Sequence, residues 1–277
     1  MTLSLSSVPD VLGRIASAHD VAFGSYFLTR GPMRDALAGA ARHGAHVAVS
    51  LQADPYRGSG NRAPDNAASA RVLRDAGAEV SLFARDQVPF HLKAAVCDGV
   101  AYLDDRNWTQ RGPEIVVADD DPRDVALVRD ALAGHGGGDD ALATRKDDAL
   151  HRELALIESA PHAPVIVETE RVGTSPLTAA LRRHARGGAP TTLVLGRARD
   201  RSPSELATIA RLAGDGVVIR EGGANEKLAL VGDTAWIGSG NATAAFGRGA
   251  GQLEWGLVTK NAVLVGAVRS ALARDAA

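Results

Sequence analysis

Cysteine is nearly missing from this sequence: Cys97 stands alone among 277 residues. One thiol excludes an intrachain disulfide framework and a cysteine-rich metal site. Aromatic residues are scarce as well, at 4%, so the core must be built mostly from alanine, valine and leucine. There is no excess of charge of one sign. Thirty-one basic residues face 33 acidic ones, for a net charge of −2. That balance lacks the basic surplus of a general nucleic-acid coat, although it leaves room for a local basic pocket. No stretch approaches the roughly 18 consecutive apolar residues of a membrane-spanning helix. The opening MTLSLSSVPDVLGRIASAHD has no basic start, and Pro9 and Asp10 interrupt its only apolar run. It does not read as a signal peptide, and a soluble cytoplasmic protein is the expectation.

What the sequence does contain is written twice. Strand-like runs (DVAFGSYFLT, HVAVSLQA, EVSLFA) alternate with helix-like runs (GPMRDALAGAARHGA, DNAASARVLRDAGA). A hairpin through Asp98-Gly99, the strand EIVVAD and the helix PRDVALVRDALAG follow. The second half repeats the order, from APVIVETERV through a hairpin at Gly232-Asp233 to the helix NAVLVGAVRSALARD. Alternating strands and helices favour a layered α/β fold with mixed sheets. A repeat of about 130 residues is too long for a solenoid unit, so it is a duplicated half, and two such halves pack about a pseudo-two-fold axis. The boundaries expected are residues 1–134 for the first half, 135–152 for a connection and 153–277 for the second half, in a monomer.

The two hairpins carry the chemistry. HLKAAVCDGVAYLDDRN runs from His91 to Asn107, and NEKLALVGDTAWIGSGN from Asn225 to Asn241. His91 and Lys93 alternate along a strand and so share a face. Asp-Gly is a two-residue turn signal, and a turn there sets Lys93 opposite Asp104 and brings Asn107 beside His91. In the second copy a turn at Gly232-Asp233 sets Lys227 opposite Gly238, with Ser239 and Asn241 next to Asn225. A glycine opposite a lysine lets a ligand approach the backbone, and serine and asparagine add neutral donors for a phosphate oxygen.

These residues resemble the doubled HxK…D…GSxN motif of the phospholipase D superfamily. The Lys-to-Asn step is 14 residues in both copies, from Lys93 to Asn107 and from Lys227 to Asn241. The resemblance covers nearly the whole chain, because the order of strands and helices agrees too. It implies one composite site where the hairpins meet. There one histidine attacks phosphorus and a second serves the leaving group, while lysines and asparagines hold the non-bridging oxygens. It implies neither metal nor cofactor. It makes His91 the nucleophile, with Lys93, Lys227 and Asn225 as the other catalytic positions. Asn107, Gly238, Ser239 and Asn241 become the phosphate ligands. Asp98, Glu114 and Glu254 are supporting residues, the two glutamates as candidates to orient a histidine.

The chain departs from the motif in complementary ways. Copy one keeps the histidine but has Asp104-Asp105 where the family has Gly-Ser, and Asp104 is expected to pair with Lys93. Copy two keeps Gly238, Ser239 and Asn241 but has Asn225 in place of histidine and Gly232 in place of aspartate. Both spacers before the GSxN position are one residue short. Asparagine neither attacks phosphorus nor carries a proton at neutral pH. Four readings stand open: a binding-only relic, a single-histidine phosphodiesterase or phosphatidyltransferase, an active enzyme carrying an inactivating substitution, and complementation between two chains. The partner is a phosphodiester or a phosphorylated ligand, with lipid headgroups and nucleic acid both in range, and a nuclease is the rival activity. The loop with Tyr56, Arg57 and Arg62 and the run GRGAGQ read as surface loops.

Overall fold

The computed structural model describes residues 3–55, 66–84, 86, 89–108, 114–196, 201–242 and 251–275. The loop with Tyr56, Arg57 and Arg62, and most of GRGAGQ, lie outside them. The chain divides into two units, Met1–Gly138 with Gly251–Glu254, and Asp139–Ala250 with Trp255–Ala277.

The first unit runs β1 (Ser4–Ser6), α1 (Val8–Ser17), β2 (Asp20–Ser25), α2 (Pro32–Arg42), β3 (His46–Gln52), α3 (Asn66–Asp75), β4 (Glu79–Phe83), β5 (Ala94–Cys97), β6 (Val100–Asp104), β7 (Val116–Asp119) and α4 (Pro122–Leu132). Its sheet has the order β1-β7-β6-β5-β2-β3-β4. The second unit runs β8 (Leu142–Arg145), α5 (Lys146–Ser159), β9 (Val165–Thr169), α6 (Pro176–Arg186), β10 (Thr191–Gly196), α7 (Pro203–Gly214), β11 (Val218–Gly223), β12 (Leu228–Val231), β13 (Thr234–Gly238), β14 (Leu253–Thr259) and α8 (Ala262–Asp275). Its order, β11-β10-β9-β12-β13-β14-β8, is the first order read from the other end. Each sheet is mixed. Strands β2, β3 and β4 are parallel and the hairpin antiparallel, and β9, β10 and β11 with their hairpin follow suit. The duplication therefore covers eleven elements per copy.

Two pairs of elements were not legible in the sequence. Pro9 and Asp10, read as breakers, instead start α1. Ser7 caps its first turn by accepting from the Asp10 N–H, and proline falls in that first turn, where the missing N–H costs nothing. In the same way the expected connection at 135–152 holds β8 and the first half of α5, the counterparts of β1 and α1. The acidic run before Pro122 supplies a cap, with Asp121 accepting from the Arg123 N–H at the start of α4.

The hairpins have the register that their turns dictate. In copy one Asp98 (φ 45°) and Gly99 (φ 86°) both take left-handed angles, as a type I′ turn requires, and Cys97 pairs with Val100. In copy two the order is Gly-Asp, and only Gly232 (φ 61°) is left-handed, the pattern of a type II′ turn. Asp98 also ties its hairpin to β2, accepting from the His19 and Asp20 N–H groups. Buried apolar residues fill each unit, and burial pushes the Cys97 thiol up to about 12, so it is inert at neutral pH. No described helix is long and apolar enough to cross a membrane.

Candidate active site

In the first unit the chain arrives at the motif under tight control. Asn66, buried, accepts from Leu28 N–H and donates to the Tyr26 and Gln52 carbonyls. Gln52 in turn accepts from Phe90 N–H. Phe90 bridges to Leu253, and the His91 N–H donates to the Leu253 carbonyl at 3.1 Å. That bridge brings the next residue, Glu254, to His91. Its Oε1 lies 2.6 Å from His91 Nδ1, and its side chain is only 2% exposed. Gln252 supports the same oxygen through its Nε2 at 3.1 Å. Lys93, buried, places Nζ 2.8 Å from His91 Nδ1. One ring nitrogen cannot both donate to the carboxylate and accept from the ammonium. The carboxylate is the closer of the two, so the geometry favours an Nδ1–H that donates to Glu254. Nε2 then carries the lone pair, 3.3 Å from Lys93 Nζ. Tyr26 meets the imidazole edge-on, with centroids 4.6 Å apart, and His91 remains a quarter exposed.

The far strand of this hairpin is acidic. Asp104 faces Lys93 across the ladder, its N–H donating to the Lys93 carbonyl. The Lys93 charge lowers the Asp104 pKa, as the expected pairing would, but is outweighed. Burial is the largest influence, followed by the Glu114 charge, and both push its pKa upward, against backbone N–H bonds from Trp108 and Arg106. Asp104 Oδ2 accepts from Trp108 N–H at 2.6 Å and thereby holds Trp108 at a left-handed φ of 56°. The aspartate in the glycine position is thus part of the turn that presents Asn107. Glu114 lies with Asp104 and Asp105, all three offering oxygens within 4.8 Å, and sits 3.7 Å from Arg106 Nε. Among the described residues this trio is the one carboxylate group spaced to share a cation. Glu254, on the other hand, is the carboxylate at His91.

In the second unit Lys227 pairs with Gly238 as expected, the Gly238 N–H donating to the Lys227 carbonyl. Lys227 Nζ donates to the Asn225 carbonyl at 2.8 Å and lies 3.8 Å from Glu170. Asn225 takes φ 69°, a left-handed angle that asparagine tolerates. Its Oδ1 would lie 1.8 Å from a Cβ on Gly196. Asn241 Oδ1 accepts from Arg171 N–H at 3.3 Å, which leaves the amide NH₂ as its free donor pair. Ser239 is fully buried, and its Oγ accepts from Trp255 N–H.

Packing gives Gly238 a second reason to be a glycine. A Cβ there would come within 2.6 Å of the Trp236 ring and 2.8 Å of the Trp255 carbonyl. Gly256, its cross-strand partner, is crowded likewise by Ala149 and by Trp236 Nε1, which donates to the Ala149 carbonyl. The two glycines make a slot for the buried indole. Gly238→Ala is therefore expected to destabilise the fold by about 3 kcal/mol, as overpacking against ring and backbone does. A urea titration of the variant beside the parent chain checks this.

Sequence spacing did not mark Tyr26, Gln252 or Arg201. Arg201, just ahead of the α7 cap, donates from Nη2 to the Gly196 carbonyl at 2.7 Å.

The fold has solved counterparts. The chain superposes on a polyphosphate kinase from Porphyromonas gingivalis with a TM-score of 0.73 at 13% identity, over 100% of this chain and 50% of that one. It superposes on yeast tyrosyl-DNA phosphodiesterase with a TM-score of 0.53 at 11% identity, over 93% of this chain and 88% of that one. This chain thus spans half the length of that kinase. No protein-family model and no curated protein sequence matches it. At these identities the likeness is one of fold, two α/β halves that repeat one order of strands and helices.

Proposed function

We propose that the chain is a phospholipase D-like phosphodiesterase that works with a single histidine. The observation that carries this is the His91–Glu254 pair, a buried carboxylate 2.6 Å from Nδ1, which leaves Nε2 as the nucleophile. In the first step Nε2 attacks phosphorus, the bond to the leaving oxygen breaks, and a phosphohistidine forms. Lys93, Lys227, Asn107 and Asn241 hold the non-bridging oxygens as charge shifts toward them. Asn225 has no proton to give, so the leaving alkoxide takes one from water. Water then attacks the phosphohistidine, loses a proton to solvent and releases the phosphomonoester. Asp98 supports the first hairpin and Ser239 the far end of the second.

The missing proton donor gives a direct test. An aryl phosphodiester with a nitrophenolate leaving group needs little acid assistance, whereas an alkyl ester needs much. The chain is expected to hydrolyse the aryl ester and to be far slower on the alkyl one. Asn225→His is expected to raise alkyl ester hydrolysis about 10²-fold, within the range of general acid catalysis, and aryl ester hydrolysis much less. Histidine is among the residues tolerated at a left-handed φ. If the chain and the variant, both folded, are silent on both esters, the enzyme reading fails and a binder of phosphorylated ligands replaces it. What favours that second reading is Asn225 itself, which can hydrogen-bond but cannot catalyse.

A further inference from the structure

Next to Asn225 the second unit keeps a cation that the proposed chemistry does not use. The Arg201 side chain is 7% exposed. Its Nη2 is spent on the Gly196 carbonyl, and its Nε lies 3.6 Å from Glu221, a residue 69% exposed. Its Nη1 is buried and meets no hydrogen-bond partner. A guanidinium donor withdrawn from water without an acceptor is costly, and arginine forks match phosphate oxygens in pairs. Asn225 Oδ1 is a buried atom in the same condition, and it packs against the same Gly196. Asn225 is thus linked to both cations: its carbonyl takes Lys227, and its side chain packs on Gly196, whose carbonyl takes Arg201. The nearby N-terminus of α7 is not the donor, because Ser202 and Glu205 close it with a capping box.

We propose that Arg201 binds a second phosphate group of the substrate, beside the one held by Lys227 and Asn241. This rests on the phosphate site proposed above and narrows its substrate class to molecules with two or more phosphates in series. A condensed phosphate and a nucleic-acid backbone present the same chemistry to a guanidinium.

Calorimetric titration separates them, using orthophosphate, tripolyphosphate and a short oligothymidylate, on His91→Ala so that nothing turns over. One of the two multivalent ligands is expected to bind at least about tenfold more tightly than orthophosphate, the worth of one charge-assisted contact. Arg201→Gln is expected to erase that advantage and leave orthophosphate binding within about threefold. Arg201→Lys should restore part of it. Asn225→Asp, which sets a carboxylate at the residue linked to both cations, should also erase it, and it decides the matter if Arg201→Gln does not fold. The proposal is overturned if neither multivalent ligand shows the advantage, if the folded Arg201→Gln protein keeps it, or if that variant weakens orthophosphate equally, as a purely structural arginine would. Binding is read without hydrolysis, so an Arg201-dependent advantage in a chain that proves catalytically silent sinks the phosphodiesterase and not this site.

Discussion

His91→Ala is expected to bring hydrolysis of an aryl phosphodiester down to background, a loss of about 10³-fold or more, while the protein stays folded. His91 is a quarter exposed, and its ring meets Glu254, Lys93 and the edge of Tyr26. Removing it opens no large cavity, so activity should fall much further than stability. Glu254→Gln tests the other half of the pair. An amide is neutral and fixes the Nδ1 proton less firmly, so a loss of about 10²-fold is expected, smaller than that of His91→Ala. If His91 were only a structural histidine, both variants would lower the unfolding midpoint and leave the rate untouched. Parallel rate and urea-denaturation measurements on the two proteins make the distinction.

The hairpins were legible because two local rules act together. Asp-Gly and Gly-Asp fix different turns with the same two-residue length, and alternation along a strand then fixes what faces what. Lys93 opposite Asp104 and Lys227 opposite Gly238 follow with no knowledge of the rest of the chain. Long-range packing was not legible. Nothing near Gly238 in sequence says that Trp236, two residues back, folds its indole over the glycine and over Gly256. Asp104 reads as a carboxylate spoiling a phosphate site, and only burial beneath a left-handed Trp108 shows it holding a turn. The paired misses at α1 and at β8–α5 share a cause. A proline or a charged run reads as an interruption unless its place in the first turn is known. Lys146, Asp147 and Asp148 likewise open α5. Once the first copy showed a strand and a helix ahead of β2, the same pair ahead of β9 completed the repeat.

Helix α5 carries the second large effect. Glu153 lies on its buried face with Ala149, Leu150 and Ile157, is 2% exposed, and has its pKa pushed from an ordinary 4.5 up to about 8 by burial. Below about pH 4.5 the carboxyl is protonated in both the folded and the unfolded chain and has no pH-dependent effect. Between about 4.5 and 8 the unfolded chain releases the proton while the folded one keeps it. Folding then takes up a proton, and stability falls as pH rises. Above about 8 the group is charged in both states and the penalty is complete. Glu153→Gln removes the titration while keeping the shape. It should match the parent near pH 4.5 and exceed it by about 2 to 5 kcal/mol at pH 8.5, since each pH unit across the window contributes up to about 1.4 kcal/mol. Other groups titrate over the same range, with Asp104 raised in the same direction, so the parent's curve alone assigns nothing. The difference between the two urea-unfolding curves, measured at several pH values, isolates Glu153. Curves that stay parallel from pH 4.5 to 8.5 would mean that water or a partner reaches the carboxyl and that α5 buries no neutral acid.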